Sequence, residues 1–299
     1  MVVPTIDMQR LIRRFSNKSI HSSSLLAYDK INCNDPKDKL IVYLHGILGS
    51  KRNWRTPCNV WVKKHPMYGA ISIDHRGHGD SYNLSERNLP DTIENCAIDI
   101  NNTLNIASEN SINPPSIIIA HSFGGKVALK YLEHRLKLGL SIPEHTWIVD
   151  CIPGKYNGHV ENGEESVINV INTVTDPSFP KTFNTRDEII NYLINNAGFS
   201  KAIAFWLATN ITMTETKKFT WSLNFNIIKS LFNDFCSLDM FPFLMNYNGR
   251  GKIHFLQAGR NQAWNNKIII DQINQIKLNN NNNIKFHIMP NVGHWVSNI

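Results

Sequence analysis

The sixteen residues SIIIAHSFGGKVALKY, positions 116–131, admit few folds. An apolar run without polar alternation is the pattern of a strand buried on both faces. It passes through His-Ser-Phe-Gly-Gly directly into a helical pattern, and a strand turning straight into a helix is half of a parallel βαβ unit. The turn is one residue short of Gly-x-Ser-x-Gly, the strained strand-to-helix turn that presents a serine hydroxyl. Ala120 stands where the first glycine is usual, adding one methyl, while Gly124 and Gly125 are intact on the crowded helix side.

The same alternation runs through much of the chain. KLIVYLHG (39–46), AISIDHRGHG (70–79), TWIVDCIPG (146–154), KIHFLQAG (252–259) and IKFHIMPN (284–291) also read as strands. Helical patterns fall at about 91–109, 124–138 and 265–278. Alternating β and α of this length predicts a mostly parallel sheet with helices on both faces. Between 154 and 250 there is no strand pattern but several helical ones, with Thr185 as a helix start and Gly198 as a stop. That interval is expected to be an all-helical cap over the carboxyl edge of the sheet. It divides the core into 24–153 and 251–299.

Composition excludes more than it assigns. No apolar run approaches the roughly 18–20 residues of a membrane-spanning helix. The net charge of +7 is spread, with no basic block and no aromatic-basic repeat, so nucleic acid is not expected as a partner. Five scattered cysteines without a Cys-x-x-Cys pair predict neither a disulfide framework nor a zinc site, and read as reduced thiols. Residues 8–27, MQRLIRRFSNKSIHSSSLLA, are acid-free, with Met8, Leu11, Ile12 and Phe15 on one helical face. An Arg- and Ser-rich amphipathic start of this kind predicts a mitochondrial presequence over 1–23 and a matrix destination.

A serine nucleophile needs a base, a group to orient that base, and donors for the oxyanion. LHGILG at 44–49 ends a strand in His-Gly-x-x-Gly, so the Ile47 N–H is one candidate donor and the Phe123 N–H, just after Ser122, the other. MPNVGHW puts His294 in a loop directly after the last strand, the chain position of the base. The acid usually follows the strand after the cap, but no Asp or Glu occurs between Gly259 and Asp271. The preceding strand ends in IVDC, and neighbouring strands are only about 4.8 Å apart. Asp150 is therefore the expected acid. His75 and His78 in DHRGHGDS lack a third ligand nearby and read as structural, so no metal is predicted. FGGKV lacks the spacing of a phosphate loop. Cap aromatics Phe199, Phe205, Trp206, Phe219, Trp221 and Phe225 are expected mainly in core, with some lining an acyl site.

LHGILGSKRNW, DHRGHGDS, AHSFGGKVAL, VDCIPGKY, the cap stretch at 186–210 and GHW together resemble the α/β-hydrolase superfamily from about Ser24 onward. More narrowly, the chain looks like the α/β-hydrolase domain-containing protein 11 family. That resemblance implies an acid at the end of the strand before the cap, matching Asp150, and frequent mitochondrial residence. It also implies esterase or thioesterase chemistry on small acyl esters or thioesters, or acyl transfer to an alcohol, without metal or organic cofactor. Relatives continue past their Gly-His-Trp loop into a closing helix, whereas this sequence ends at Ile299, so either a longer protein or a sheet short of one helix is expected. Hydrolysis through Ser122, His294 and Asp150 is the leading expectation. An alcohol acyltransferase and a non-catalytic binding protein of the same fold are the alternatives, the second motivated by Ala120 and by the closing helix expected from the resemblance but missing after Gly-His-Trp.

Overall fold

Strand register decides where the chemistry of this chain can meet. The computed structural model describes residues 25–33, 39–83, 89–107, 113–156, 166–279 and 282–294. The expected presequence at 1–23 and Trp295 of the Gly-His-Trp loop lie outside them. The strands are β1 (Tyr28–Ile31), β2 (Lys39–Leu44), β3 (Tyr68–Ile73), β4 (Ile117–His121), β5 (His145–Val149), β6 (Thr182–Phe183), β7 (Ile211–Met213), β8 (Phe219–Trp221), β9 (Lys252–Ala258) and β10 (Ile284–Met289). Seven form one sheet in the order β1-β3-β2-β4-β5-β9-β10. Only β1 runs antiparallel to its neighbour; the other pairings are parallel.

The connection leaving β2 runs to β3 on one side and the connection leaving β4 runs to β5 on the other, so the loops after β2 and β4 diverge and leave a crevice at their carboxyl ends. Register brings four strand ends level: Leu44 opposite Ala120, His121 opposite Val149, and Val149 opposite Leu256. Alternate residues supply the two faces. Val42, Leu44, Ile118, Ala120, Ile148, Ile253 and Phe255 join the larger core under helices Ile93–Ala107, Phe123–Lys137 and Lys267–Leu278. Ile41, Tyr43 and Ala70 meet Cys58 of helix Arg55–Lys64 on the other face. Each fully buried Ile or Leu contributes about 1.5–3 kcal/mol relative to leaving it in water.

The insertion between β5 and β9 corrects the all-helical expectation. It holds helices Val167–Val174, Arg186–Asn195, Lys201–Leu207, Phe225–Ser237 and Phe241–Met245, but also a three-stranded antiparallel sheet, β6-β8-β7. Two- and three-residue strands are too short to show period-2 alternation, which is why the sequence pattern missed them. Thr185 does cap its helix, accepting from the Glu188 N–H, and Gly198 takes φ +76° after it. Phe199, Trp221 and Phe225 are buried in the core, Trp221 packing beside Phe179, Phe183 and Phe225, while Phe205 is exposed.

Lys126, the lysine of FGGKV, ties both ends of this insertion to the helix after Ser122. Its buried ammonium donates to the carbonyls of Gly154 (2.7 Å), Phe235 (2.6 Å) and Leu238 (2.8 Å), and sits 4.3 Å from the Phe235 ring centre. Burial pulls its pKa down to about 8. Among the described residues no helix is long and apolar enough to cross a membrane.

Candidate active site

β4 ends at His121, and the chain turns through Ser122 at φ 50°, ψ −119°, a conformation L-residues rarely hold. The backbone pays for that strain locally: the Ser122 N–H donates to Val149 O (2.9 Å) and Gly125 N–H to Ser122 O (2.7 Å). A Cβ on Gly124 would lie 2.7 Å from His45 O, so only glycine lets the helix start this close to the loop after β2. A Cβ on Gly46 would sit 3.3 Å from Ser122 Cβ, which places the Ile47 loop against the serine. Ala120 keeps its methyl wholly buried without disturbing this arrangement.

The structure brings Ser122, His294 and Asp150 together. Ser122 Oγ lies 3.2 Å from His294 Nε2, and His294 Nδ1 lies 2.6 Å from Asp150 Oδ2. Because the carboxylate can only accept, Nδ1 carries the proton and Nε2 is left to accept from the serine hydroxyl. The His294 loop is fixed by Gly259 N–H to Met289 O and Arg260 N–H to Val292 O, both 2.9 Å. His121 adds a third anchor, donating from Nε2 to His294 O (3.1 Å). Burial, with His294 nearby, lowers the His121 pKa to about 4 and keeps that ring neutral.

Asp150 sits just past β5 at φ 46°, its N–H bonded to Leu256 O (2.8 Å). The donors to its carboxylate, besides His294, come from the end of β9 and the acid-free turn beyond it. Oδ1 accepts from Trp264 Nε1 (2.7 Å) and the Ala258 N–H (3.0 Å), and Oδ2 from Asn261 Nδ2 (2.9 Å) as well as His294. Burial pushes this carboxyl upward, but the His294 bond and charge, with Trp264 and Ala258, outweigh it and hold the pKa at about 2. Sequence reasoning missed Trp264, Asn261 and His121. Asn261 left one trace, an Asn two residues before a turn whose Ala263 N–H it also accepts (3.0 Å).

Ile47 and Phe123 are both buried beside the serine, and among the described residues neither backbone N–H is donated to a protein acceptor. His75 and His78 are wholly buried, and both bind backbone of the loop after β2: His75 through His45 O (3.1 Å), His78 through the Leu48 N–H (3.1 Å).

Comparisons with known proteins agree with this architecture. A family model described as serine aminopeptidase, S33, matches residues 35–139, from β2 through the helix after Ser122. An abhydrolase domain-containing protein of Schizosaccharomyces pombe is 32% identical over 104 residues, 35% of this chain and 35% of that protein. That match thus spans about a third of the length of the curated relative. Among solved structures, a marine microorganism esterase superposes with a TM-score of 0.67 at 22% identity, covering 91% of this chain and 93% of its own. A thioesterase domain from the curacin biosynthetic pathway gives 0.55 at 17%, covering 90% and 94%.

Proposed function

Since the chain has the α/β-hydrolase fold, we propose that it is a serine hydrolase of small carboxylic esters or thioesters. The observation that carries this reading is the unbroken line from Ser122 Oγ through His294 to an Asp150 whose two oxygens are filled by four donors. An esterase and a thioesterase domain among the structural neighbours support the choice of bond.

Ser122 Oγ attacks the acyl carbonyl as its proton passes to His294 Nε2. Asp150 stays ionised and holds the imidazolium in place, while the Ile47 and Phe123 N–H groups receive the carbonyl oxygen as it gains charge. His294 then gives its proton to the departing alkoxide or thiolate, leaving Ser122 acylated. Water, deprotonated by the same Nε2, attacks the acyl group, and as the bond to Ser122 Oγ breaks Nε2 returns that proton to the serine and the acid is released. An acyltransferase would differ only in that last nucleophile, and no residue described here selects an alcohol over water.

Covalent labelling by a fluorophosphonate tests this. The folded wild-type protein should label, and Ser122→Ala should not. Failure of the well-folded wild type to label would sink the mechanism.

A further inference from the structure

The oxyanion loop is held by a ring of contacts that includes the cap. Gly49 N–H donates to Gly46 O (3.0 Å), closing a turn over Ile47 and Leu48 in which Leu48 has φ +59°. A left-handed conformation is disfavoured for any residue with a Cβ, and leucine has no polar side chain to offset it. Something outside the turn must therefore hold Leu48, which is itself wholly buried.

Two groups do so. On one side His78 Nε2 accepts from the Leu48 N–H (3.1 Å), its Nδ1 proton being committed to Arg76 O (2.9 Å). On the other, Asn210 Nδ2 donates to Leu48 O (2.8 Å) across 162 residues of sequence. Asn210 lies in the insertion, immediately before β7, and is 1% exposed. Its own carbonyl accepts from the Ser222 N–H (2.8 Å) and Ser222 Oγ (3.0 Å). Next to Ser222, Leu223 forms a backbone bridge with His78. Leu48, His78, Leu223, Ser222 and Asn210 thus close a circuit, with the oxyanion loop at one end and the small cap sheet at the other.

We infer that Asn210 is a positioning residue through which the cap sets the oxyanion loop. It touches neither the serine nor the reacting carbonyl; it acts on Leu48, and Leu48 neighbours the Ile47 N–H. Without the Asn210 bond the Leu48 carbonyl is buried and unpaired, and the turn is free to relax out of its left-handed state. The cap is then more than a cover: its seating and the readiness of the oxyanion donors are one equilibrium. This inference rests on the reading of Ile47 as an oxyanion donor.

The test compares wild type with Asn210→Leu, close in size but without a donor, and with Asn210→Asp, which keeps the shape and cannot donate when ionised. Removing an oxyanion donor costs about 10²–10³ in rate, so loosening one should lower kcat on p-nitrophenyl acetate by about 10–100-fold with KM within about twofold. Affinity for a trifluoromethyl ketone, whose adduct with Ser122 carries the oxyanion, should fall in the same proportion. Affinity for an amide isostere of the substrate should not move, which a merely structural loss would not spare. Amide hydrogen exchange over residues 44–51 should quicken in both variants, a readout independent of catalysis. Wild-type kcat, ketone affinity and exchange in both variants would overturn the inference. If exchange quickens while wild type fails to label with fluorophosphonate, the proposed activity falls and the cap-to-loop coupling stands.

Discussion

The two halves of the site are built differently. The nucleophile side is local: Ala120 to Gly125 are contiguous, and the bonds that fix Ser122 are backbone to backbone. The acid–base side is assembled from a distance. Asp150 follows β5, Ala258 ends β9, Asn261 and Trp264 lie in the turn beyond it, and His294 follows β10. The nucleophile side leans on only one neighbouring strand, through Val149 O, whereas the gathered side depends on the register of three strands. The gathered side also explains the acid's position. The turn after β9, where an acid would usually stand, here carries the donors that hold a carboxylate one strand over.

Asp150→Asn should separate the halves most sharply. Ser122 keeps its turn, but His294 loses the partner that selects its tautomer, so kcat/KM should fall roughly 10⁴-fold, as when the acid of such a triad is neutralised. Steady-state ester hydrolysis with matched circular dichroism checks it. A loss under tenfold would mean that some other group orients the base.

Acid should attack the two sides in different pH windows. Burial lowers His45, after β2, to about 4 and His78, after β3, to about 3, and lowers His75 as well, so these folded imidazoles refuse protons that the unfolded chain accepts below about 6.5. With more protons bound to the unfolded state, stability falls as pH drops from about 6.5 toward 4, by roughly 1.4 kcal/mol per unit for each such histidine. Asp150 behaves oppositely in origin. Its folded pKa of about 2 lies below the unfolded value, so its contribution is intact above about pH 4 and is lost as pH falls through about 2. Urea midpoints at pH 6.5, 5.5 and 4.5 should therefore decline before Asp150 titrates. A flat profile across that range would show that the buried imidazoles are not held neutral.

Trp264→Phe is a milder blow to the same carboxylate. Three of its four donors remain, so the loss should be about 2 kcal/mol of stability, the worth of a hydrogen bond to a charged group. Activity should fall far less than in Asp150→Asn. A urea titration with kcat/KM on the same samples would show whether the donors act together or one by one.

The local half was the more legible one. The turn at Ser122 and the helix after it follow from an apolar run and a fixed motif, while on the gathered side only the parallel strands and the Gly-His loop do. Asp150 was reachable because strand spacing is short and no rival acid stood nearby. Trp264, Asn261 and Asn210 were not, because each matters only through a partner that folding brings from more than a hundred residues away. β1 reads YDKI, an edge strand with its two middle residues exposed, and Arg55–Lys64 carries Pro57 in its first turn, so neither showed a clean period.

Ala120→Gly is the smallest change and bears directly on whether the local half is self-sufficient. Ala120 is wholly buried in β4, paired with Leu44 and Ile148, and its methyl joins the larger core. Deleting it removes about 0.8 kcal/mol of burial and admits the roughly 0.5–1 kcal/mol of extra chain freedom that glycine brings to a strand. A loss of about 1–2 kcal/mol by urea titration is expected on those terms. Catalysis should stay within about twofold of wild type, because the Ser122 conformation is fixed by Val149 O and the Gly125 N–H rather than by the residue at 120. A gain of tenfold or more in kcat/KM would show instead that the alanine methyl pushes Ser122 off its line to His294, and that even the contiguous half is tuned from the sheet beneath it.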